Sequence, residues 1–246
     1  LVQHQNNILF QVSYIDISAI CAIIDIMYKR ILDLEFVKQK SCLLFGPRQT
    51  GKSSLLKQLF KDCLYIDLLL SDVYLKFSTS PERLREVVLA CDKNDLVVID
   101  EIQRVPELLN EIHYLIEEGY RFIITGSSAR KLKKGSANLL AGRARTRNLF
   151  PLVSHEINDF DLERVINYGT IPSIYLSDDP LDDLESYVGT YLREEIAQEG
   201  LTRGLQVFSR FLEFASLENG ELINFSNISS DLGVASSTIK NYYEIL

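Results

Sequence analysis

The segment CLLFGPRQTGKSSLL, residues 42–56, constrains this chain more than any other stretch. It sets an apolar run, Cys42 to Phe45, directly before Gly-x-x-x-x-Gly-Lys-Ser, and leucines at helical spacing directly after. By average composition, a chance match to the eight-residue pattern arises in about one chain of this length in a hundred. The setting therefore decides. Cys42 to Phe45 predicts a short buried strand ended by a glycine. Gly46, Pro47, Arg48, Gln49, Thr50 and Gly51 then form a loop whose backbone N–H groups point at phosphate oxygens. Lys52 reaches the β- and γ-phosphates of ATP, and the Ser53 hydroxyl holds Mg²⁺. Ser54 to Cys63 predicts a helix whose N-terminus, with Ser53 and Ser54, faces the anion. The alternative is a glycine-containing turn before an ordinary amphipathic helix, and the order strand, loop, helix weighs against it.

Downstream, Leu64 to Leu70 predicts a second strand, followed by a polar turn and a helix over Pro81 to Ala90. The segment DLVVIDEIQRVPELL follows, its strand Leu96 to Ile99 ending in Asp100 and Glu101. Carboxylates at the carboxyl end of a strand lie where open α/β sheets place their ligands. Asp100 is suited to Mg²⁺, directly or through water, and Glu101 to drawing a proton from an attacking water. A strand that merely ends in two acids is the competing reading. The next strand, Tyr120 to Thr125, runs into TGSSARKLKKG. Thr125, Ser127 and Ser128 are all candidates to sense a γ-phosphate, and a hydroxyl-rich turn capping the next helix is the alternative for each.

GPRQTGKSSLL, VVIDEIQRVPELL, FIITGSSARKL and LLAGRARTRNLFPL together resemble the prokaryotic AAA-family ATPases. They are most similar to the group whose ATPase core precedes a C-terminal domain of unknown function. The resemblance runs on through YVGTYLREEIAQEGL and the tail, covering about residues 28–246. It implies Lys52 and Ser53 as nucleotide and Mg²⁺ ligands, Asp100 and Glu101 as the Walker B pair, and Thr125 to Ser128 as the sensor. It also implies a further C-terminal region resembling restriction-endonuclease folds, so that the chain, ending at Leu246 within an apparent helix, reads as truncated. The expected architecture is α/β: a parallel P-loop NTPase sheet flanked by helices, then a smaller, winged-helix-like helical domain. The boundaries read as an upstream extension over 1–27, an ATPase domain over 28–155, a linker or lid over 156–185, and a helical domain over 186–246.

Composition fits a globular enzyme of the cytoplasm: 46% apolar and 24% charged residues, with a net charge of −8. Cysteines 21, 42, 63 and 91 form no C-x-x-C pair, and histidines 4, 113 and 155 have no zinc-like spacing. Residues 8–27 are apolar, yet Asp16 and Asp25 lie inside the run and no basic segment precedes it, so no spanning helix is expected. Met27 is the chain's only methionine and reads as a natural beginning. Residues 130–147 hold Arg130, Lys131, Lys133, Lys134, Arg143, Arg145 and Arg147 with no acid. Such a cluster suits an arginine finger toward a neighbouring copy, contact with nucleic-acid phosphate, or a solvated loop. Arg143 is its best candidate for sensing nucleotide.

The tail, SNISSDLGVASSTIKNYYEIL, fits helix–turn–helix, with a turn at Gly233 and a second helix opened by Ser236 or Ser237. In a DNA-binding version Ser236, Ser237, Thr238 and Lys240 would face the groove. Residues 211–246, however, set Glu213, Glu218, Glu221, Asp231 and Glu244 against Lys240 alone, where DNA binding calls for a basic footprint. Two functions compete. One is an ATPase that turns over and works on a protein partner, a second copy or DNA. The other is a slow nucleotide-dependent switch. A small-molecule kinase is disfavoured, because Glu101 after Asp100 prepares a water and no acceptor pocket is evident.

Overall fold

The computed structural model describes residues 28–127, 140, 142–191 and 205–245. The expectations placed on residues 1–27, on Ser128, Arg130, Lys131, Lys133 and Lys134, and on the part of YVGTYLREEIAQEGL beyond Tyr191 lie outside them. Five strands form one parallel sheet in the order β2-β3-β4-β1-β5: β1 Ser41–Phe45, β2 Leu64–Asp67, β3 Leu96–Asp100, β4 Arg121–Gly126 and β5 Ala144–Asn148. All run the same way, so their carboxyl ends open on one rim, where Phe45 leads into the glycine loop and Asp100 ends β3. This is the parallel sheet with flanking helices of a P-loop NTPase, followed by a helical region.

Continuous apolar runs make these strands, because both faces of a parallel sheet are covered. Leu43, Phe45, Val97, Ile99, Phe122 and Ile124 pack on one face against α3 (Arg83–Leu89) and α4 (Leu108–Glu117), with α2 (Ser71–Thr79) at the margin. Cys42, Leu44, Val98 and Ile123 pack on the other against Leu55 and Leu56 of α1 (Lys52–Leu59) and Leu34 and Val37. Full burial of one such side chain contributes about 1.5–3 kcal/mol, so the alternation of the two sets fixes the sheet's register.

Several local expectations change. β2 stops at Asp67 rather than Leu70, because the Asp67 carboxylate accepts Leu69 N–H at 2.9 Å and turns the chain. The expected polar turn after it is the helix α2, anchored by buried Phe77, with Val73 and Tyr74 packed on the core. Residues 144–148, within the basic cluster, form edge strand β5, where Arg145 and Arg147 stack over Phe36 at 5.1 and 4.7 Å.

Beyond α5 (Leu162–Tyr168) and within the short α6 (Pro172–Tyr175), a division between two compact units falls after Ser173. Within the segment expected as a linker or lid, Asp178 and Asp179 lead into α7 (Pro180–Ser186), with Pro180 at its first position and Asp179 capping Asp182 N–H. In the second unit α8 (Leu205–Leu217), α9 (Phe225–Leu232) and α10 (Ser236–Ile245) close around Phe208, Phe211, Ile228, Leu232, Ile239 and Tyr242. Asn224 caps α9 through Ser226 and Asn227 N–H, and Gly233, in the left-handed conformation at φ 67°, ends it before α10. Among the described residues no helix is long and apolar enough to cross a membrane.

Candidate functional site

The glycines of the loop after β1 are demanded by close approach and by turn geometry. A Cβ on Gly46 would stand 2.1 Å from the Leu149 carbonyl oxygen, and Gly51 opens α1 from the left-handed region at φ 87°. Between them Gln49 also takes φ 60°, and its side-chain oxygen accepts the Ser173 hydroxyl at 2.9 Å. Thr50 is fully buried, its hydroxyl donating to the Pro47 carbonyl at 2.9 Å. Lys52 is buried to 5% exposure, and its ammonium donates to the Gly46 and Pro47 carbonyls, each at 2.8 Å. The loop thus wraps a fixed cation at the start of a helix, the arrangement that suits a polyphosphate.

Asp100 collects three hydroxyls. Ser53 Oγ donates to its Oδ2 at 2.6 Å, Tyr65 OH donates to the same oxygen at 2.5 Å, and Thr125 Oγ1 donates to Oδ1. Asp100 itself is 1% exposed. Tyr65 was not foreseen. Burial, reinforced by the Asp100 charge, pushes its phenol pKa well up, so it stays a donor. A hydroxyl and a carboxylate 2.6 Å apart, beside a phosphate loop, are the hard oxygen donors that Mg²⁺ prefers.

Glu101 follows in the left-handed region at φ 61°, ψ 48°, with its N–H donated to Thr125 Oγ1 at 2.9 Å. Its carboxylate accepts a hydrogen bond from Gln103 Nε2, and burial raises its pKa, an effect the Lys52 charge opposes and the Asp100 charge adds to. The Thr125 hydroxyl is thus shared between Asp100 and the Glu101 backbone. Ser127 lies just beyond β4.

A second feature absent from the sequence reading braces the loop from outside. Arg30 donates to the Thr50 carbonyl at 2.7 Å, the Phe150 carbonyl at 2.5 Å and Glu156 Oε1 at 3.0 Å. Glu156, 5% exposed, also accepts Ile31 N–H at 2.8 Å and Val153 N–H at 3.2 Å. Beside this brace, Tyr28, Ser54, Leu55, Gln58, Leu152 and Pro172 line a pocket next to Gly51.

Residues 38–158 match the family described as AAA domain, and residues 159–246 match a domain of unknown function (DUF8612). The chain carries an AAA domain. Within it the structure brings Lys52, Ser53, Asp100, Glu101 and Thr125 together at the carboxyl rim of the sheet. Arg143 is not brought there. It precedes β5 at the opposite rim and pairs with Glu117.

Among similar proteins, the uncharacterized protein Rv2008c of Mycobacterium tuberculosis is 26% identical over 214 residues, covering 83% of this chain and 47% of that protein. The uncharacterized protein MJ1544 of Methanocaldococcus jannaschii is 26% identical over 181 residues, covering 61% of this chain and 40% of that protein. The chain therefore spans less than half the length of these relatives. The solved structure of the Aeropyrum pernix ORC1 protein in complex with DNA is similar with a TM-score of 0.41 and 12% identity, over 82% of this chain and 76% of that one. At that score nothing about DNA transfers to this chain. An AAA-type P-loop fold suggests nucleotide binding.

Proposed function

We propose that the chain binds ATP with Mg²⁺ on the Gly46–Ser53 loop, hydrolyses it, and passes its nucleotide state to a C-terminal helix–turn–helix. The observation that carries this is the 2.6 Å bond from the Ser53 hydroxyl to the Asp100 carboxylate, one residue from Lys52 on one side and from Glu101 on the other. Lys52 neutralises the β,γ-phosphate charge, and the loop N–H groups cradle the oxygens. Ser53 and Asp100 hold Mg²⁺, which when bound neutralises charge developing on the phosphate oxygens. Tyr65 and Thr125 fix the orientation of Asp100. Glu101 draws a proton from the attacking water, for which a raised pKa makes it a better base. Arg143, away from this chain's own loop, serves a neighbouring copy.

For the helix–turn–helix the charge balance favours a protein partner. α10 exposes Ser236, Ser237 and Lys240, while Glu213, Glu218, Glu221, Asp231 and Glu244 lie in the same unit. The test is an ATP titration with and without Mg²⁺ on this chain and on Lys52→Ala, followed by phosphate release with and without duplex DNA. Mg²⁺-dependent binding lost in Lys52→Ala, with phosphate released, is the expected result. Undiminished affinity in Lys52→Ala contradicts the site. Tight nucleotide retention without turnover points to the switch, and DNA-stimulated release to a nucleic-acid partner.

A further inference from the structure

Thr125 stands where the sequence suggests a γ-phosphate sensor, yet its hydroxyl is already committed. β4 is the middle strand of the sheet. Thr125 pairs with Leu44 of β1 on one side, and on the other it lies one residue beyond the pair Ile99 and Ile124, beside Asp100. It is fully buried. A hydroxyl has one proton to give. Thr125 gives its proton to Asp100 Oδ1, and the same Oγ1 accepts the Glu101 N–H at 2.9 Å. No exposed surface and no second proton are left for a phosphate oxygen.

What Thr125 holds is the turn between the two acids. Asp100 divides its bonds: Oδ2 takes the Ser53 and Tyr65 hydroxyls at 2.6 and 2.5 Å, and Oδ1 takes Thr125. Glu101 leaves the strand in the left-handed region at φ 61°, one of two non-glycine residues with positive φ among those described. A glutamate seldom keeps that conformation unless its surroundings hold it. Its N–H is bound by Thr125, and its carbonyl accepts Arg104 N–H at 3.0 Å to open the next 3₁₀ turn. The β-branch of threonine restricts χ1, so the hydroxyl keeps its direction. One stiff side chain from the centre of the sheet thus fixes both the backbone of the base and one oxygen of its neighbour.

We propose that Thr125 is a positioning residue for the base, tying the Glu101 backbone to the Asp100 carboxylate, and that it makes no contact with the γ-phosphate. This rests on the hydrolytic reading given above. Thr125 acts through Glu101, which takes the proton of the attacking water. Ser53 keeps its own bond to Asp100 Oδ2 when the Thr125 hydroxyl is removed, so nucleotide binding is spared while the base loses its place.

The test compares this chain with Thr125→Val, which keeps the shape and removes both hydrogen bonds, and with Thr125→Ser, which retains the hydroxyl. Glu101→Gln and its double variant with Thr125→Val complete the set. Affinities for ATP and ADP with Mg²⁺, single-turnover hydrolysis and thermal midpoints are read for each. Thr125→Val is expected to slow hydrolysis by about tenfold to a hundredfold, the cost of a catalytic group misplaced by up to about 1 Å. ATP affinity, and the preference for ATP over ADP, should each stay within about threefold, since no ground-state phosphate contact is lost. Thr125→Ser should hydrolyse within about threefold of the parent, because the donor and acceptor remain. In the Glu101→Gln background Thr125→Val should cost nothing further, because the two residues act on one water. Should Thr125→Val fail to fold, Thr125→Cys, whose thiol bonds only weakly, carries the same expectation of slow hydrolysis. A loss of about tenfold or more in the preference for ATP over ADP shows contact with the γ-phosphate and overturns the inference. So do a parental rate without the hydroxyl, full additivity in the double variant, and a slow Thr125→Ser with a parental midpoint. Absence of hydrolysis in the parent, or a parental rate in Glu101→Gln, overturns the hydrolytic reading and this inference with it.

Discussion

Gly46 is the residue with the least room for change. With a Cβ position 2.1 Å from the Leu149 carbonyl oxygen, and Leu149 N–H bonded back to Phe45 O at 2.7 Å, a methyl must force the loop off β1. Gly46→Ala is expected to lose at least about 2 kcal/mol of stability and to weaken ATP binding. Urea unfolding and a nucleotide titration check this, and an unchanged midpoint contradicts it. The loop, Asp100 and Glu101 could be read from the sequence because their chemistry is local: glycines, a lysine and a serine at fixed spacing, and acids at a strand end. Tyr65 could not be, since only the pairing of β2 with β3 brings its phenol to Asp100. Gln103 carried a faint signal, an amide two residues past the acid. Arg30 and Glu156, 126 residues apart, carried none.

Among the elements, β1, β3 and β4 were legible as apolar runs that a two-sided core requires. β5 was hidden because an edge strand is covered on one side only, and its alternating arginines read as a basic loop. α2 was hidden for a different reason. Its apolar residues, Val73, Tyr74 and Phe77, sit among serines and an aspartate that favour turns in isolation, and packing overrides that preference. The segments flanking the sheet are joined to the loop by the Arg30–Glu156 pair, whose side chains are 9% and 3% exposed. Glu156→Ala removes the guanidinium's only carboxylate partner among the described residues and leaves Arg30 Nε–H and two backbone N–H groups without their acceptor. A loss of about 3–5 kcal/mol is expected, together with weaker ATP binding as the brace on Thr50 loosens. Denaturant unfolding measures the first and titration the second. A variant within about 0.5 kcal/mol of the parent, the range of an ordinary surface change, contradicts the brace.

At the scale of the whole molecule, the chain joins an AAA domain to a helical unit, and each has its own core. The fold class followed from one strand–loop–helix unit, since a glycine loop of this kind needs a parallel sheet to present it. The purpose of the second unit did not follow, because an acidic surface on a helical unit is compatible with many protein contacts. The proposed function stands or falls with ATP hydrolysis by this chain and with Glu101 as its base. Single-turnover hydrolysis by Glu101→Gln, with ATP affinity measured on the same preparation, tests it most directly. The substitution keeps size and hydrogen-bonding reach and removes the base. Unchanged affinity and a rate lower by about a hundred- to ten-thousandfold, the range of lost general-base catalysis, are expected. Hydrolysis at the parental rate would contradict it.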